Sequence, residues 1–323
     1  LEASSIGFGS RLVEYKGNKV EQFSFENEAA AFSVRETVVI AADGKLRVKA
    51  VNKKQRRRNP APPFSTSTLQ QDASRKLGFN ARRTMMTAQK LYEGMDTGEG
   101  PVGLITYMRT DSVSLSGEAV VEIRELIAER YGNKNLPVEP NVYKSKSKNA
   151  QEAHEAIRPT NISRKPSDIK KYVNADQFKL YELIWSRAIS SQMTPAEFDR
   201  NTIIISSNDN KINFRTSGSV VKFDGFLKVY QVQETDEDAK NILPEVKVGE
   251  DISILKLNDE QHFTDPPPRY SEASLVKKME ELGIGRPSTY ASIISVFSTR
   301  NYVELINKRF NPTDRGKLIS AFL

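Results

Sequence analysis

Apolar and polar side chains alternate in two separate stretches of the chain, one within residues 1–51 and one that begins at residue 202. A period of two residues is the pattern of a half-buried β-strand, because successive side chains of a strand point to opposite faces. We therefore predict strands joined by short turns in both stretches. The segments with this pattern are Thr37-Val-Val-Ile-Ala41, Leu46-Arg-Val-Lys-Ala50, Thr202-Ile-Ile-Ile-Ser206, Lys211-Ile-Asn-Phe-Arg215, Val220-Val-Lys-Phe223 and Ile252-Ser-Ile-Leu-Lys-Leu257.

Between these stretches the chain has the capping residues and the apolar spacing of helices. Thr66 or Ser67 can cap a first helix, because a side-chain oxygen satisfies the free N–H groups at a helix start. Gly78 can end that helix, because glycine tolerates the left-handed conformation there. Further helices are predicted over residues 81–92, 116–131, 150–158 and 175–192.

Residues 264–323 are predicted to form a domain of their own with a helix-turn-helix. Ser271 can cap a helix that runs to Leu282, and Pro287 suits the first turn of a second helix. Residues 302–310 are interpreted as a two-stranded wing. The whole chain is then an α+β multidomain protein. The helical block, residues 67–193, is inserted between two parts of one β-rich domain, residues 1–66 and 194–263.

Composition limits the class of protein. The 323 residues suffice for two or three domains, and the absence of cysteine excludes disulfides and thiolate metal sites. No run approaches the roughly 18 apolar residues of a membrane span, and no signal peptide is evident. The chain begins with Leu1 and ends with the apolar Ala321-Phe-Leu323. We therefore expect it to be part of a longer protein.

The net charge of +7 is unevenly distributed, since residues 1–66 carry +5 and residues 194–263 carry −5. A basic balance is a weak indication of a polyanion partner, and the acidic block suggests a part that faces away from it. The run Lys53-Lys-Gln-Arg-Arg-Arg58, followed by prolines, is interpreted as a basic linker at a domain boundary. It is either a solvated charge run or a DNA contact.

The segment Gly103-Leu-Ile-Thr-Tyr-Met-Arg-Thr-Asp-Ser112 carries the most informative set of polar side chains. Tyr107, Arg109 and Asp111 are two residues apart, so an extended backbone would place all three on one face. A tyrosine hydroxyl can attack a phosphate, a guanidinium can hold the phosphate, and a carboxylate can orient the cationic groups. Only about one tyrosine in a thousand is ionised at pH 7, so the attack needs cations or a base nearby. The alternative is a tyrosine that merely packs in a half-buried strand.

Two further segments carry groups that suit a phosphate. His154 and Arg158 are four residues apart and would share one face of the predicted helix. A histidine near a carboxylate can stay protonated and then bind phosphate or donate a proton. Arg286, Ser288 and Thr289 lie at the start of a predicted helix, where free N–H groups attract an anion. The alternatives are a structural histidine and ordinary capping by the two hydroxyls.

Taken together, these segments resemble the type IA DNA topoisomerases, and among them bacterial topoisomerase I. Five stretches match in the order that the family has, across most of the chain. Met108 after the tyrosine is similar to the bacterial enzymes, whereas topoisomerase III relatives usually have proline there. The stretches are Pro62-Pro-Phe-Ser-Thr-Ser-Thr-Leu-Gln-Gln71, Gly103 to Ser112, Gln151-Glu-Ala-His-Glu-Ala-Ile-Arg-Pro-Thr160, Gln192-Met-Thr-Pro195, and Phe263 to Tyr302.

The resemblance implies a role for each candidate residue. Tyr107 would attack a phosphodiester of single-stranded DNA, which gives a 5′-phosphotyrosine and a free 3′-hydroxyl. One phosphodiester replaces another, so an isomerase of this kind relaxes negative supercoils without ATP. Arg109 would position the scissile phosphate, and Asp111 would hold the imidazole of His154. Arg158 would support the same phosphate. The residues that match the family's DNA-backbone segment are Arg286, Ser288 and Thr289.

The resemblance also implies a fold and partners. A β-rich arch, a helical, winged-helix-like domain that carries the tyrosine, and part of a helical base would form a torus, which opens to pass a DNA strand. The expected partners are single-stranded and negatively supercoiled DNA. The expected location is the bacterial cytoplasm, at the nucleoid, without membrane association.

One part of the family pattern has no counterpart here. The family begins with a Toprim domain whose acidic residues bind Mg²⁺, and no stretch of this chain resembles it. The acidic cluster Asp236-Glu-Asp238 is interpreted as a solvated loop, so no cofactor is expected to bind this chain. We expect the chain alone to bind DNA weakly and not to relax supercoils. The alternative from another class is a non-enzymatic helix-turn-helix DNA-binding protein, which leaves residues 103–112 without a purpose.

Overall fold

The computed structural model describes residues 7–96, 100–144, 154–232 and 243–323. Contacts between Cα atoms divide the chain into two compact units. The sheet unit comprises Leu1–Arg58, Ala196–Asp224 and Val232–Asp265. The helical unit comprises Asn59–Pro195, Gly225–Gln231 and Pro266–Leu323.

Strands and helices both contribute substantially, so the predicted mixture of α and β structure is confirmed. The strands of the described residues are β1 (Arg11–Tyr15), β2 (Asn18–Lys19), β3 (Lys45–Arg58), β4 (Met95–Asp96), β5 (Pro101–Val102), β6 (Ala196–Ser206), β7 (Ile212–Phe223), β8 (Asp251–Ser253), β9 (Val303–Ile306) and β10 (Arg309–Pro312). The helices are α1 (Glu28–Ala42), α2 (Thr66–Asp72), α3 (Ala81–Glu93), α4 (Gly117–Tyr131), α5 (Pro166–Ile169), α6 (Ala175–Ser191), α7 (Glu272–Leu282), α8 (Tyr290–Thr299) and α9 (Asp314–Phe322).

The sheet unit is built on six antiparallel strands in the order β2-β1-β7-β6-β3-β8. The longest pairing joins β3 to β6 and ends with Arg58 opposite Ala196. Alternate apolar residues of these strands, such as Val48 and Ile203, are buried in the core, as the period of two residues predicts. The two segments predicted over 211–223 form the single strand β7, whereas β8 covers only the start of the segment predicted over 252–257.

Helix α1 replaces the strand predicted over residues 37–41, and that prediction is wrong. The side chain of Asn27 caps α1 by accepting a hydrogen bond from the Ala30 N–H at 2.9 Å, and three alanines follow in the first turn. Val38 and Ala42 are buried against the sheet, whereas Ile40 is 78% exposed. Burial therefore follows a helical period here, and the local β-branched run does not decide the structure.

The basic run 53–58 is part of strand β3, so its interpretation as a linker is wrong. Strand β6 pairs with it along its whole length. The guanidinium of Arg57 lies 2.9 Å from the carboxylate of Glu197 opposite it, whereas Lys54 is opposite Arg200. One cross-strand pair of opposite charge thus accompanies the backbone pairing of this basic strand.

The helical unit has helix α6 in its interior. Leu180, Ile184 and Ala188, at helical spacing, are fully buried, and the indole Nε1 of Trp185 donates to the carbonyl of Ile162 at 3.0 Å. The guanidinium of Arg83 on α3 binds the Asp176 carboxylate of α6 through two bonds of 2.7 Å. The helices predicted over 81–92, 116–131 and 175–192 are confirmed as α3, α4 and α6.

Helix α2 begins with a capping box one residue before the predicted caps. The Ser65 hydroxyl accepts from the Thr68 N–H, and the Thr68 hydroxyl accepts from the Ser65 N–H at 2.9 Å. After Asp72 the helix continues as one π-helical turn over Ala73–Leu77. It ends, as predicted, at Gly78, whose φ is +68°. Ser65 therefore caps the helix, and Thr66 is free for other contacts.

The last part of the helical unit is a helix-turn-helix with a two-stranded wing, as predicted. Ser271 caps α7, Gly283 ends it with φ of +69°, and β9 pairs with β10. Helix α8 begins at Tyr290, three residues after Pro287. Residues 287–289 form a separate turn and not the first turn of the helix. The Glu272 carboxylate accepts from the Ala81 N–H at 2.7 Å and so satisfies the start of α3. Residues 266–323 thus belong to the same compact unit as residues 59–195, and their assignment to a separate domain stays a prediction.

In the part of the chain that the structure describes, no helix is long and apolar enough to cross a membrane.

Candidate active site

Side chains alternate between buried and accessible positions along the Tyr107 segment, as predicted. Tyr107 is 42% exposed, and Arg109 and Asp111 are also accessible. The side chains between them point inward, since Met108 is 1% and Thr110 3% exposed. The segment belongs to no regular strand and bends at Thr106 and Met108. The phenol, the guanidinium and the carboxylate are therefore the accessible groups of one short segment.

Two neighbouring segments hold the backbone of this segment. On one side, Ile105 forms an antiparallel bridge with Pro159, and the Thr106 N–H donates to the carbonyl of Arg158 at 2.9 Å. On the other side, the N–H of Thr66 donates to the carbonyl of Thr110 at 2.8 Å. These two segments also pair with each other, through a bridge between Phe64 and Ile157. Residues near 64, 106 and 157 thus form one hydrogen-bonded platform, whose buried apolar side chains fix it in the core.

Helix α3 supports Tyr107 from a further direction. The rings of Tyr92 and Tyr107 meet edge to face, with centroids 5.3 Å apart. Gly103 lies so close to α3 that a Cβ atom there would be 2.7 Å from the carbonyl oxygen of Tyr92. The Leu104 N–H donates to the carbonyl of Leu91 at 2.7 Å. The absence of a Cβ atom at Gly103 therefore allows the chain to pass close to α3 and so fixes the path of the backbone that leads to Tyr107.

Residues 154–158 are extended, so the helix predicted over 150–158 is wrong for its described part, and residues 150–153 lie outside the described residues. His154 and Arg158 do not share a helical face. His154 is exposed at the start of the segment. The pairing of this segment with Phe64 and Thr106 outweighs the local helical pattern. The proposed contact of His154 with Asp111 stays a prediction.

Glu155 and Arg158, which flank Ile157 of the platform, form a bidentate ion pair. Nε and Nη2 of Arg158 donate to the two carboxylate oxygens at 2.6 and 3.1 Å, and Nη1 donates to the carbonyl of Pro159. The same carboxylate accepts from the N–H of Ser116, which caps α4. Burial would raise the pKa of Glu155, but the hydrogen bonds from Arg158 and Ser116 outweigh it and lower that pKa. Arg158 is thus engaged with Glu155, so binding a phosphate would require it to share that partner.

The turn before α8 lies within electrostatic reach of the Tyr107 segment. Burial is the main cause that raises the pKa of Tyr290; the charges of Glu280 and Asp111 raise it further, and Arg286 lowers it. Asp111 and Arg286 therefore both act on the Tyr290 hydroxyl. One residue of the third predicted segment and one of the first thus act electrostatically on the same hydroxyl.

The hydroxyl groups of that turn are arranged differently from the predicted anion site. Oγ1 of Thr289 accepts from the N–H of Arg286 at 2.8 Å and closes the turn. The Arg286 guanidinium is exposed and donates to the carbonyl of Gly285, and Ser288 is exposed as well. The Thr289 hydroxyl thus closes the turn, and Arg286 and Ser288 are the accessible donors.

The described residues contain no group of three or more histidine, aspartate or glutamate side chains that could hold a metal ion. The cluster 236–238 lies outside the described residues. The half-buried carboxylate of Glu155 is bound by Arg158 and Ser116. The Mg²⁺ that the resemblance implies therefore does not fit this part of the chain, and no step is assigned to it here.

Sequence reasoning missed two threonines on either side of Tyr107. The Thr66 hydroxyl is fully buried and contacts the backbone of residues 108–110, and the Thr106 hydroxyl contacts that of residues 156–158. Both lie within the motifs that carry the resemblance. Thr66 was interpreted as a helix cap because it lies beside the start of a helix. Their partners are at least 42 residues away along the chain, which a local pattern does not reveal.

A sequence profile described as DNA topoisomerase matches residues 5–323. Among curated relatives, the DNA topoisomerase 1 of Rickettsia typhi is 50% identical over 318 residues, and that of Rickettsia bellii is 51% identical over 325 residues. These alignments cover 98% and 100% of this chain but 40% of each relative. The chain thus spans about 40% of the length of these relatives.

The fold has a counterpart among solved structures. Full-length topoisomerase I from Thermotoga maritima superposes with a TM-score of 0.81 at 37% sequence identity. The match covers 97% of this chain and 50% of that one. Because the family profile extends over almost the entire chain, the chain belongs to the DNA topoisomerase family, in its bacterial type IA branch.

Proposed function

We propose that this chain forms the tyrosine-bearing part of an enzyme that cuts and reseals one strand of DNA. The observation that carries the proposal is the exposure of Tyr107, Arg109 and Asp111 along one short segment. A packing tyrosine would have its hydroxyl turned inward, whereas the inward positions here are taken by Met108 and Thr110. Membership of the topoisomerase family supports the same assignment.

The reaction is a transesterification at phosphorus. The phenol oxygen of Tyr107 forms a bond to the phosphorus, and the bond from phosphorus to the 3′-oxygen breaks. The phenol proton leaves, and the departing 3′-oxygen gains a proton. The products are a 5′-phosphotyrosine and a 3′-hydroxyl, so the reverse attack reseals the strand without ATP.

The other candidate residues act around this phosphate. Arg109 has the charge and the accessibility to hold its non-bridging oxygens. Asp111 orients the cationic groups, and His154 transfers or holds a proton. Arg286 extends the positive charge along the strand, since it lies within electrostatic reach of the same region as Asp111. Arg158 is engaged with Glu155, so its contribution is to shape the platform as well as to add charge.

The two units take the parts of the family architecture that the resemblance implies. The sheet unit is the arch, residues 59–195 are the domain that carries the nucleophile, and residues 266–323 belong to the base. Single-stranded and negatively supercoiled DNA are the substrates. The Mg²⁺-binding Toprim domain lies outside this chain, and the working site is in the bacterial cytoplasm.

Replacement of Tyr107 by Phe in the full-length protein tests the nucleophile. The wild type should retain a 3′-labelled single-stranded oligonucleotide covalently after denaturation, since the enzyme keeps the 5′-phosphate side of the break. Y107F should bind the same oligonucleotide but form no adduct, because only the hydroxyl is removed. Tyr131→Phe, on α4 of the same unit, is the matched control and should form the adduct.

Two outcomes would count against this proposal. An adduct in Y107F would show that another group is the nucleophile. DNA binding by the wild type without any adduct would favour the helix-turn-helix binding protein. A further expectation is that the isolated 323-residue chain does not relax a supercoiled plasmid in the presence of Mg²⁺, and relaxation by it would refute the need for a separate Toprim domain.

His154 has its own test. His154→Ala should slow cleavage and change its pH dependence. The same pH profile in the wild type and the variant would return His154 to a structural role.

A further inference from the structure

Two threonine hydroxyls fasten the backbone on both sides of Tyr107. Thr106 precedes the tyrosine, and Met108 follows it. Oγ1 of Thr106 donates to the carbonyl of Ala156 at 2.7 Å and accepts from the N–H of Arg158 at 3.0 Å. Oγ1 of Thr66 lies 2.7 Å from the carbonyl of Met108 and accepts from the N–H of Thr110 at 2.8 Å. Each hydroxyl thus joins a carbonyl and an N–H that lie two residues apart.

This arrangement replaces the ladder of a regular strand. An extended segment outside a sheet must find other partners for its backbone groups, because a buried N–H or carbonyl without one is costly. The carbonyl of Met108 and the N–H of Thr110 belong to residues that are 1% and 3% exposed. Water is therefore a poor substitute, and the Thr66 hydroxyl serves both groups at once.

The same contacts fix where the accessible side chains point. Arg109 lies between the two groups that Thr66 binds. Tyr107 lies between Thr106, whose hydroxyl is bonded to residues 156–158, and Met108, whose carbonyl the Thr66 hydroxyl contacts. A rotation of either peptide would change the direction of the phenol or the guanidinium. An attacking group needs to be held close to its productive geometry, and an error of about 1 Å can cost on the order of 100-fold in rate.

We propose that the hydroxyls of Thr66 and Thr106 are positioning groups for DNA cleavage, which hold Tyr107 and Arg109 in register with the scissile phosphate. This inference rests on the proposed function of Tyr107 and adds to it two residues that touch neither the phosphate nor each other. Their effect is exerted through the backbone of residues 106–110. They act on the rate of attack and on resealing, and not on the affinity for DNA.

Matched substitutions separate positioning from mere support of the fold. Thr66→Val keeps the shape and removes the hydroxyl, whereas Thr66→Ser keeps the hydroxyl and removes a methyl group. Thr84→Val is the control, because Thr84 is equally buried and its hydroxyl donates to the carbonyl of Asn80, the N-cap of its own helix. All three are made in the full-length protein and compared with the wild type at equal folded fraction, checked by circular dichroism.

The readout is single-turnover formation of the covalent adduct on a 3′-labelled oligonucleotide over a range of enzyme concentrations. T66V should lower the maximal rate roughly 10- to 100-fold, with the half-saturating concentration within about twofold of the wild type. T66S should recover the rate to within about threefold, and T84V should retain it. The pair Thr106→Val and Thr106→Ser should behave in the same way.

The outcomes distinguish this inference from the function on which it rests. Equal maximal rates for T66V, T106V and the wild type would overturn the positioning role while leaving Tyr107 as the nucleophile. A slow T66S would do the same, because the hydroxyl would then not be the group that matters. An absence of adduct in the wild type itself would instead refute the proposed function. If T66V does not fold, the T66S and T106S rates, with T106V, still decide the question.

Discussion

Removal of the Glu155 charge should weaken the platform that carries Tyr107. The Glu155 carboxylate accepts two bonds from Arg158 and one from Ser116, and the Glu155 and Arg158 side chains are 26% and 15% exposed. Glutamine has the same shape, and its oxygen in the place of Oε1 can keep the bonds from Nε of Arg158 and from the N–H of Ser116. Its amide nitrogen, however, would face the donors of the guanidinium.

The expected loss follows from these bonds. A hydrogen bond to a charged group contributes about 1.5–3 kcal/mol, and removing one partner of a buried pair costs more. Because part of the pair is in contact with water, which can solvate the freed guanidinium, we expect Glu155→Gln to lower the free energy of unfolding by about 2 kcal/mol.

The single tryptophan makes this loss measurable in one unit. Trp185 is the only tryptophan of the chain and is buried in α6, so its fluorescence reports the unfolding of the helical unit. With a urea dependence of roughly 2 kcal/mol per molar, the midpoint should fall by about 1 M. Glu122→Gln, at an exposed position of α4, should move it by less than about 0.25 M.

The dependence on pH provides a second check. The pKa of Glu155 is lowered in the folded chain, so its stabilising contribution is complete above the ordinary pKa and is lost as the pH falls through the folded value. The difference between wild type and E155Q should therefore be constant from about pH 8 to 5.5 and shrink below about pH 4.5. A midpoint shift under about 0.25 M at pH 7, or a difference that does not shrink in acid, would refute the reasoning.

Two further substitutions test the interior of the helical unit by the same fluorescence assay. The hydroxyl of Tyr230 donates to Oδ2 of Asp72, which also binds Arg187; Tyr230→Phe should cost about 1–3 kcal/mol, and a loss below about 0.5 kcal/mol would mean that Arg187 alone satisfies the carboxylate. Gly225 has φ of +51°, and a Cβ atom there would lie 2.4 Å from the carbonyl oxygen of Pro195. At Gly78 the φ is similar but a Cβ atom would meet open space, so Gly78→Ala should cost about 1–2 kcal/mol. Gly225→Ala should therefore cost at least twice as much as Gly78→Ala. Equal losses for the two glycine variants would show that the backbone conformation, and not the clash, sets the cost.

The alternation of accessible and buried side chains along the Tyr107 segment was predictable from the order of its residues. Tyr107, Arg109 and Asp111 are accessible and Met108 and Thr110 are buried even though no regular strand forms. The period of two residues is a property of the local backbone, which does not depend on which partner supplies the hydrogen bonds.

The errors in prediction have two physical causes. In α1 the strand was predicted from residues 37–41 alone, whereas the helix depends on the cap at Asn27 and on the alanines that follow it. At residues 154–158 the local helical pattern is outweighed by pairing with Phe64 and Thr106, which are more than 48 residues away in the chain. Arg158 is bound to Glu155 in the structure, and its expected support of a phosphate stays a prediction. Contacts of this kind depend on the tertiary fold, which a single sequence does not reveal.

The bond between the Ala81 N–H and the Glu272 carboxylate spans 191 residues of the chain. During synthesis at about 5–20 residues per second, the start of α3 waits about 10–40 s before its partner leaves the ribosome. Ala81 also packs with Val276 and Ile294, so part of a core stays open for the same time. Nascent chains of this protein should therefore be most susceptible to proteolysis or chaperone binding around residue 81, and the first part of the helical unit should become protected only when α7 and α8 have been made.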